Sequence, residues 1–314
     1  PEPDVDAGPP KDYFCNRLLQ SEKRQMTTPD VQLLWDCACL LGEGPLWLPE
    51  ANTLKFVDIK GGAVCTFAVD GVAGSRLQTG ANPSFIVPSD DGDLLVGSRN
   101  AVHRLTESGF GSTVVTIPEP AGNRTNDATV DAAGRLWFGT MDDAEATPSG
   151  AIWRFDGHDL YDAGPRAVVT NGPALSGDGN LLYHVDSGGR TIWRCAVNDD
   201  GSLSEGQVFV HIEDGAGYPD GVITDAEDCL WVALWDGWAV RRYAPDGTLM
   251  LQVPIPCARP TKIALGGPNL TTAFVTSARI GIDADALADQ PHAGGLFSFE
   301  APAPGRVLPA VRMR

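Results

Sequence analysis

The sequence predicts an all-β fold, a six-bladed β-propeller that is closed by an N-terminal strand. One observation is a motif that recurs along the chain: a polar loop, an apolar strand, a turn and a second apolar strand. A second is its spacing, because the equivalent apolar residues follow one another in steps of 40, 42, 45, 49 and 43 residues: Leu54, Leu94, Leu136, Leu181, Leu230 and Ala273. A third is the lack of a sustained helical period of about 3.6 residues. A regular spacing of this size, built from short strands, indicates the blades of a β array.

The domain boundaries follow from the repeats. Residues 1–30 do not fit them, and their Pro-rich and then charged composition predicts a flexible N-terminal extension. Residues 31–314 are expected to form one propeller domain, because each repeat of roughly 43 residues has room for four strands and their turns. A pair of β-sandwiches is the main alternative, but it would not explain the even period.

The first strand, Val31–Trp35, precedes the first full repeat. We expect it to complete the sixth repeat and close the ring, because an open ring would leave strand edges exposed. Asp-Gly pairs recur along the chain and predict hairpin turns between strands. Residues 283–289 alternate Asp with Ala and Leu, and we expect one short helix there, within a loop.

The composition excludes several classes of function. A net charge of −18 argues against a nucleic-acid partner, because a phosphate-binding surface needs clustered Lys and Arg. The chain has no apolar run long enough to span a bilayer and no apolar signal segment near its start. We therefore expect a cytoplasmic protein with no membrane partner, as a monomer or a weak homo-oligomer.

The seven cysteines are scattered and include no Cys-x-x-Cys pair. An odd number without that spacing suits reduced thiols in a core better than a disulfide framework. Cys37 and Cys39 alternate along a segment that we expect to be a strand. They are therefore predicted to pack in the core rather than to bind a metal.

The first strand of each blade lines the central channel of a propeller, so equivalent residues of different blades meet around one axis. Counting back ten residues from the aligned apolar position, or eleven in the first repeat, gives one residue per repeat: Glu43, Ser84, Asn126, Asn171, Asp220 and Ile263. Any polar member alone could be a turn residue, since Asn-Gly and Asp-Gly pairs are common in turns. Four carboxylates or carboxamides at one position of the repeat favour a shared function.

Glu43 and Asp220, together with a carboxamide, would bring two negative charges to one end of the channel. These groups offer only oxygen ligands, which suit a hard divalent cation such as Ca²⁺, Mg²⁺ or Mn²⁺. Without an ion the two carboxylates would repel each other. The sequence therefore predicts a metal site inside the propeller.

Several segments of the chain carry a resemblance to a known family. They are Leu41–Trp47, Phe56–Lys60, Arg124–Asp127, Gly134–Met141, Thr170–Pro173 and Tyr218–Gly221. Together these segments resemble the senescence marker protein (regucalcin)/gluconolactonase family of sugar lactonases over roughly residues 31–300. Within that family, the chain is most similar to bacterial aldonolactonases such as the xylonolactonases.

The resemblance implies a six-bladed propeller with one divalent metal ion in the channel. The metal-ligand motifs of the family match Glu43, Asn171 and Asp220, and its substrate-contacting Arg and Asn match Arg124 and Asn126. Ca²⁺ is the first candidate for the ion, and Zn²⁺, Mn²⁺, Mg²⁺ and Fe²⁺ are the alternatives.

The chain departs from some relatives after Met141. Where they carry a Glu that faces the substrate, this chain has Asp142, Asp143 and then Glu145. We assign Glu145 to the substrate, and the order of the three acids leaves open which of them reaches the channel.

The resemblance implies hydrolysis of a sugar lactone, an aldonolactone, to the aldonic acid. The metal would polarise the lactone carbonyl, and Asp220 would act as the general base. One alternative is a calcium-dependent esterase of the paraoxonase type, although the five histidines fall outside the ligand positions. Another is a non-catalytic calcium-binding propeller, because a propeller fold by itself specifies no function. A serine hydrolase is not favoured, because the chain has no Gly-x-Ser-x-Gly motif.

Overall fold

The computed structural model describes residues 28–70 and 74–314, and residues 1–27 of the predicted extension lie outside this part. Within the described residues, the chain forms six four-stranded antiparallel sheets and one short helix. The first strands of neighbouring sheets contact one another and close a ring around a central channel. The prediction of a six-bladed β-propeller is confirmed.

Each blade runs from the channel outward, and blades 1 to 5 use four consecutive strands. Blade 1 contains β2 (Gly42–Leu48), β3 (Thr53–Asp58), β4 (Ala63–Ala68) and β5 (Ser75–Gln78). Blade 2 contains β6 (Pro83–Pro88), β7 (Leu94–Ser98), β8 (Ala101–Thr106) and β9 (Gly109–Thr116). Blade 3 contains β10 (Asn123–Val130), β11 (Leu136–Asp142), β12 (Gly150–Phe155) and β13 (Leu160–Ala167).

The second half of the ring is built in the same way. Blade 4 contains β14 (Thr170–Leu175), β15 (Leu181–Asp186), β16 (Thr191–Ala196) and β17 (Gln207–His211). Blade 5 contains β18 (Tyr218–Thr224), β19 (Leu230–Trp235), β20 (Ala239–Tyr243) and β21 (Leu249–Pro254). Blade 6 contains β22 (Pro260–Gly266), β23 (Thr272–Ser277), β24 (Leu296–Glu300) and β1 (Gln32–Trp35).

The N-terminal strand closes the ring. Strand β1 pairs antiparallel with β24, with Gln32 opposite Ser298 and Leu33 opposite Phe297. Both ends of the propeller chain therefore contribute to blade 6, as the repeats predicted. The predicted short helix is also present as α1 (Ala284–Asp289), and the side chain of its N-cap residue Asp283 accepts a hydrogen bond from the backbone N–H of Ala286.

The prediction that Cys37 and Cys39 lie on a strand is wrong. Strand β1 ends at Trp35, and Ala38 has a φ of 50°, which an extended strand cannot accommodate. Both cysteines are nevertheless buried after the strand ends, and all six cysteines of the described part of the chain are free. The expectation of reduced core thiols is confirmed for those six.

Apolar side chains pack between neighbouring blades. The rings of Trp231 and Phe299 lie 5.7 Å apart between blades 5 and 6, and those of Trp47 and Phe274 stack at 5.5 Å between blades 1 and 6. Each large apolar side chain removed from water contributes about 1.5–3 kcal/mol. The second strands supply much of this core, which explains why their apolar residues repeat so regularly in the sequence.

In every blade, the pairing register between the first and second strands shifts near the start of the first strand. In blade 1 it follows Glu43, and in blade 4 it follows Asn171. The next residues are Gly44 and Gly172, with φ of 55° and 68°, a conformation that glycine adopts without strain. Because a β-bulge re-aims the side chains around it, six bulges at one level give the channel a ring of re-aimed side chains.

The last residues of the chain, 301–314, cross the opposite mouth of the channel. Ala226 donates its backbone N–H to Pro304 at 2.8 Å, and Val311 donates to Pro88 at 2.8 Å. The segment thus contacts the turns of blades on both sides of the ring. A cavity of about 200 Å³ lies between this segment and the bulged level of the channel.

Candidate active site

A cavity of about 270 Å³ opens at the mouth of the channel where the bulged residues lie. All six residues predicted for the site line it: Glu43, Arg124, Asn126, Glu145, Asn171 and Asp220. Five of them come from the first strands of blades 1, 3, 4 and 5, and Glu145 comes from the loop after β11. The structure therefore brings together the residues that the repeat positions and the family motifs selected.

Glu43 and Asp220 are two buried carboxyl groups in this cavity, 6% and 7% exposed. Burial, followed by the negative charge of Asp127, raises the pKa of Glu43 to about 8. Burial and the charges of Glu43 and Asp127 raise the pKa of Asp220 well above its ordinary value. Three acids therefore crowd one buried region, and a positive charge placed there would stabilise their ionised forms.

A chain of hydrogen bonds fixes the two carboxamides. Asn126 Nδ2 donates to Asn171 Oδ1 at 2.7 Å, and Asn171 Nδ2 donates to Ser187 Oγ at 3.0 Å. Arg124 Nη1 donates to Asn126 Oδ1 at 2.6 Å. These bonds identify the oxygen of each amide, and Asn171 Oδ1 keeps a second lone pair for another partner.

The residues of the site fit a divalent cation with oxygen ligands. In residues 28–70 and 74–314, no cluster of three or more His, Cys, Asp or Glu side chains is arranged to hold a metal. The candidate ligands are instead two carboxylates and one amide oxygen, from Glu43, Asp220 and Asn171. An all-oxygen donor set with two crowded carboxyl groups suits Ca²⁺ or Mg²⁺ better than a soft metal.

The structure separates the roles of the three acids after Met141. Asp142 accepts hydrogen bonds from the backbone N–H groups of its own loop, including Thr147 at 3.0 Å. Asp143 accepts from Arg124 Nε at 2.7 Å and from Lys60 Nζ at 2.6 Å. Glu145 lines the cavity. The repeat pattern did not separate them, because it does not describe how the chain turns after Met141.

Two aromatic residues of blade 5 form one wall of the cavity. Tyr218 and Trp235 lie opposite each other on β18 and β19 and both line it. The guanidinium of Arg190 lies 4.2 Å from the Tyr218 ring centroid, and that of Arg259 lies 4.7 Å from the Trp235 ring centroid. These contacts hold the rings in place, so the cavity combines a polar floor with a fixed apolar wall.

A protein-family model described as the SMP-30/gluconolactonase/LRE-like region matches residues 41–279. The chain belongs to this family. It is 35% identical over 276 residues to an L-arabinolactonase of Azospirillum brasilense, an alignment that covers 84% of this chain and 90% of that protein. It is 30% identical over 280 residues to a pentonolactonase of Haloferax volcanii, which covers 86% of this chain and 94% of that protein.

A solved structure of the same shape is that of a calcium-binding protein, regucalcin, from Agrobacterium tumefaciens. The two structures superpose with a TM-score of 0.83 and 26% sequence identity. The match covers 91% of this chain and 98% of that protein. The SMP-30/gluconolactonase membership confirms the family predicted from the sequence. The names of the relatives agree with the predicted enzyme class, a hydrolase of lactone esters. Among the described residues, no helix has the length and apolar character needed to cross a membrane.

Proposed function

We propose that the protein hydrolyses a sugar lactone to the corresponding aldonic acid with the help of one divalent metal ion. One observation carries this proposal: Glu43, Asn171 and Asp220 share a cavity with Arg124, Asn126 and Glu145. The first three are candidate metal ligands, and the others are suited to sugar hydroxyls. Lactonases among the relatives support the same class of substrate.

Glu43, Asn171 and Asp220 would hold the ion, with Ca²⁺ as the first candidate and Zn²⁺, Mn²⁺, Mg²⁺ or Fe²⁺ as alternatives. When bound, a divalent ion supplies a Lewis acid that polarises the lactone carbonyl. The side chains of Arg124, Asn126 and Glu145 bind and orient the substrate. Arg124 can only donate hydrogen bonds, whereas an ionised Glu145 can only accept them. Arg124 therefore binds an oxygen lone pair of the sugar, and Glu145 binds the hydrogen of a sugar hydroxyl.

Asp220 acts as the general base. A water oxygen attacks the carbonyl carbon, and the proton that it loses moves to the Asp220 carboxylate. The ring C–O bond of the resulting tetrahedral intermediate then breaks, and the proton passes to the departing ring oxygen. The product is the opened sugar, which carries a new hydroxyl group and a carboxylic acid. One water is consumed for the one ester bond that breaks.

The Asp220→Asn variant tests the role of this carboxylate. We expect it to lose turnover, by about 10²–10⁴-fold from the base alone, while the protein stays folded. Ser84 provides a matched control, because it is buried at the equivalent position in blade 2 and bonds Thr125 Oγ1 at 2.6 Å. Ser84→Ala should cost about 1 kcal/mol of stability and keep its turnover. A near-normal rate in Asp220→Asn would remove Asp220 from the mechanism.

The structure favours the lactonase over the paraoxonase-type esterase. That alternative depends on histidines near the metal, and no histidine is among the described residues that line the cavity. A non-catalytic calcium-binding role would not require Arg124, Asn126 and Glu145 to face the same cavity as the candidate ligands. A cytoplasmic location and a monomer or weak homo-oligomer remain predictions.

A further inference from the structure

A buried ion pair crosses the channel beneath the candidate metal site. Lys262 Nζ donates to Asp127 Oδ1, and both side chains are almost fully buried, 6% and 3% exposed. Lys262 belongs to β22 of blade 6, and Asp127 belongs to β10 of blade 3. These blades stand opposite each other in the ring, so the pair bridges the propeller from one side to the other.

The bridge is in contact with neighbours of the candidate ligands. A Cβ atom on Gly221 would lie 2.6 Å from Cβ and Cγ of Lys262, so the lysine stem packs on the backbone next to Asp220. Asp127 follows Asn126, whose amide donates to Asn171 Oδ1 at 2.7 Å.

The neighbour of Lys262 in the same strand bonds the residue before the third candidate ligand. Thr261 Oγ1 donates to the backbone carbonyl of Gly42 at 2.5 Å, directly before Glu43. The two strands that carry the ion pair, β22 and β10, thus contact residues that flank or bond all three candidate ligands.

The ion pair affects the electrostatics of the site as well as its geometry. Lys262 contributes a favourable Coulombic interaction to Glu43, Asp127 and Asp220 alike. Arg124, the other buried cation near the cavity, is bonded to Asp143. Asp127 Oδ2 is buried without a hydrogen-bond partner in the described structure. Its Oδ1 accepts from Lys262 and from the backbone N–H of Ala128, so Lys262 supplies the positive charge bonded to this carboxylate.

We propose that Lys262 and Asp127 are positioning residues that set the charge and spacing of the metal site. Lys262 is a built-in cation that offsets the crowded carboxylates, and Asp127 holds that cation below the ligands so that it does not compete with the metal. This inference rests on the proposed function, because it requires a divalent ion at Glu43, Asn171 and Asp220.

The two single variants should change metal affinity in opposite directions. In Lys262→Met the carboxylates lose their internal cation, and we expect Ca²⁺ to bind about tenfold more tightly. In Asp127→Asn the ammonium loses its counter-ion and faces the site, and we expect Ca²⁺ to bind about tenfold more weakly. The double variant Lys262→Met/Asp127→Asn removes both charges and should return to within about threefold of the parent protein.

Calorimetric titration of the metal-stripped protein with CaCl₂ measures these shifts without any substrate. If both single variants lose affinity, the pair has only a structural role and the proposal is wrong. If the parent protein binds no divalent ion, the proposed function fails first, and this inference fails with it. The two failures are therefore distinguishable.

Removing one partner of a buried pair is strongly destabilising, so a single variant can unfold without metal. Thermal melting with and without CaCl₂ then replaces the titration. We expect Ca²⁺ to raise the melting temperature of Lys262→Met more than that of the parent, and that of Asp127→Asn less. A smaller rise in Lys262→Met than in the parent would contradict the proposal.

Discussion

Asp143 offers a sharp test of how the substrate-binding arginine is held. The Arg124 side chain is 6% exposed, and its Nε donates to Asp143 Oδ1 at 2.7 Å. Replacing Asp143 with Asn keeps the size of the side chain but removes the charge that Arg124 pairs with. The pKa of Asp143 is lowered, against the effect of its own burial, by the hydrogen bond from Lys60 and the charge of Arg124, so both contacts favour the ionised carboxylate.

The expected loss follows from the strength of that bond. A hydrogen bond to a charged group contributes about 1.5–3 kcal/mol, and the 38% exposure of Asp143 places the value toward the lower end. If Arg124 binds the substrate, a loss of about 1.5–2 kcal/mol in Asp143→Asn should lower kcat/KM by roughly 10-fold to 30-fold. We expect most of that loss in KM, because Arg124 orients the sugar and takes no proton.

Both kcat and KM are measured from steady-state lactone hydrolysis by the metal-loaded protein, with proton release as the signal. Lys60→Met is the matched control, because it removes the other partner of Asp143, 2.6 Å away, and leaves the bond to Arg124 intact. It should change kcat/KM by less than about threefold. An unchanged kcat/KM in Asp143→Asn, or an equal loss in Lys60→Met, would refute the role given to Arg124.

Two further predictions concern stability. The pKa of Glu43 is raised to about 8 in the folded protein, so its stabilising effect is complete below its ordinary pKa and is lost as the pH rises through about 8. Urea denaturation of metal-free protein should therefore show stability falling between about pH 5 and pH 8, and a flat profile would contradict the burial of Glu43. Deleting residues 307–314 removes the contacts of Leu308 and of Val311, which is 0% exposed. The deletion should lower the free energy of unfolding by about 3–6 kcal/mol. The folded remainder should keep its kcat, because the segment lies at the mouth opposite the site. Loss of kcat in a folded chain would show that the two mouths are coupled.

The repeat and the level of the site could be read from the sequence because both depend on periodicity. Leu54, Leu136 and Leu230 are fully buried on second strands, and burial at a fixed place in every blade requires an apolar residue at a fixed spacing. Nearly the same spacing located Glu43 and Asp220, eleven and ten residues before Leu54 and Leu230, since the first strands occupy corresponding places around the channel.

The bulges could not be read in this way, and they decide the remainder of the site. In a regular strand, Asn126 and Asp127 would face opposite sides, so strand periodicity does not predict that both lie in the channel. The register is irregular between Thr125 and Ala128. Asn126 therefore lines the candidate active site, and Asp127 lines the cavity beneath the C-terminal segment. The partner of Asp127, Lys262, comes from the opposite blade, and no local pattern connects two residues that are so far apart in the chain.

Loops and chain ends were also beyond the reach of the repeats. The αL conformation of Ala38 ended the alternation that had suggested a strand through Cys39. The C-terminal segment has no repeat partner, so its path across the channel mouth had no signal in the sequence.

The most direct measurement is lactone hydrolysis by metal-stripped protein, with one divalent ion added back at a time. Gluconolactone and pentonolactones are the substrates, and a pH-stat records the acid released. The account predicts negligible turnover without metal, recovery with one ion or a few, and loss of that recovery in Glu43→Gln. Stoichiometric metal binding without turnover of any sugar lactone would contradict it and would leave a metal-binding protein in place of an enzyme.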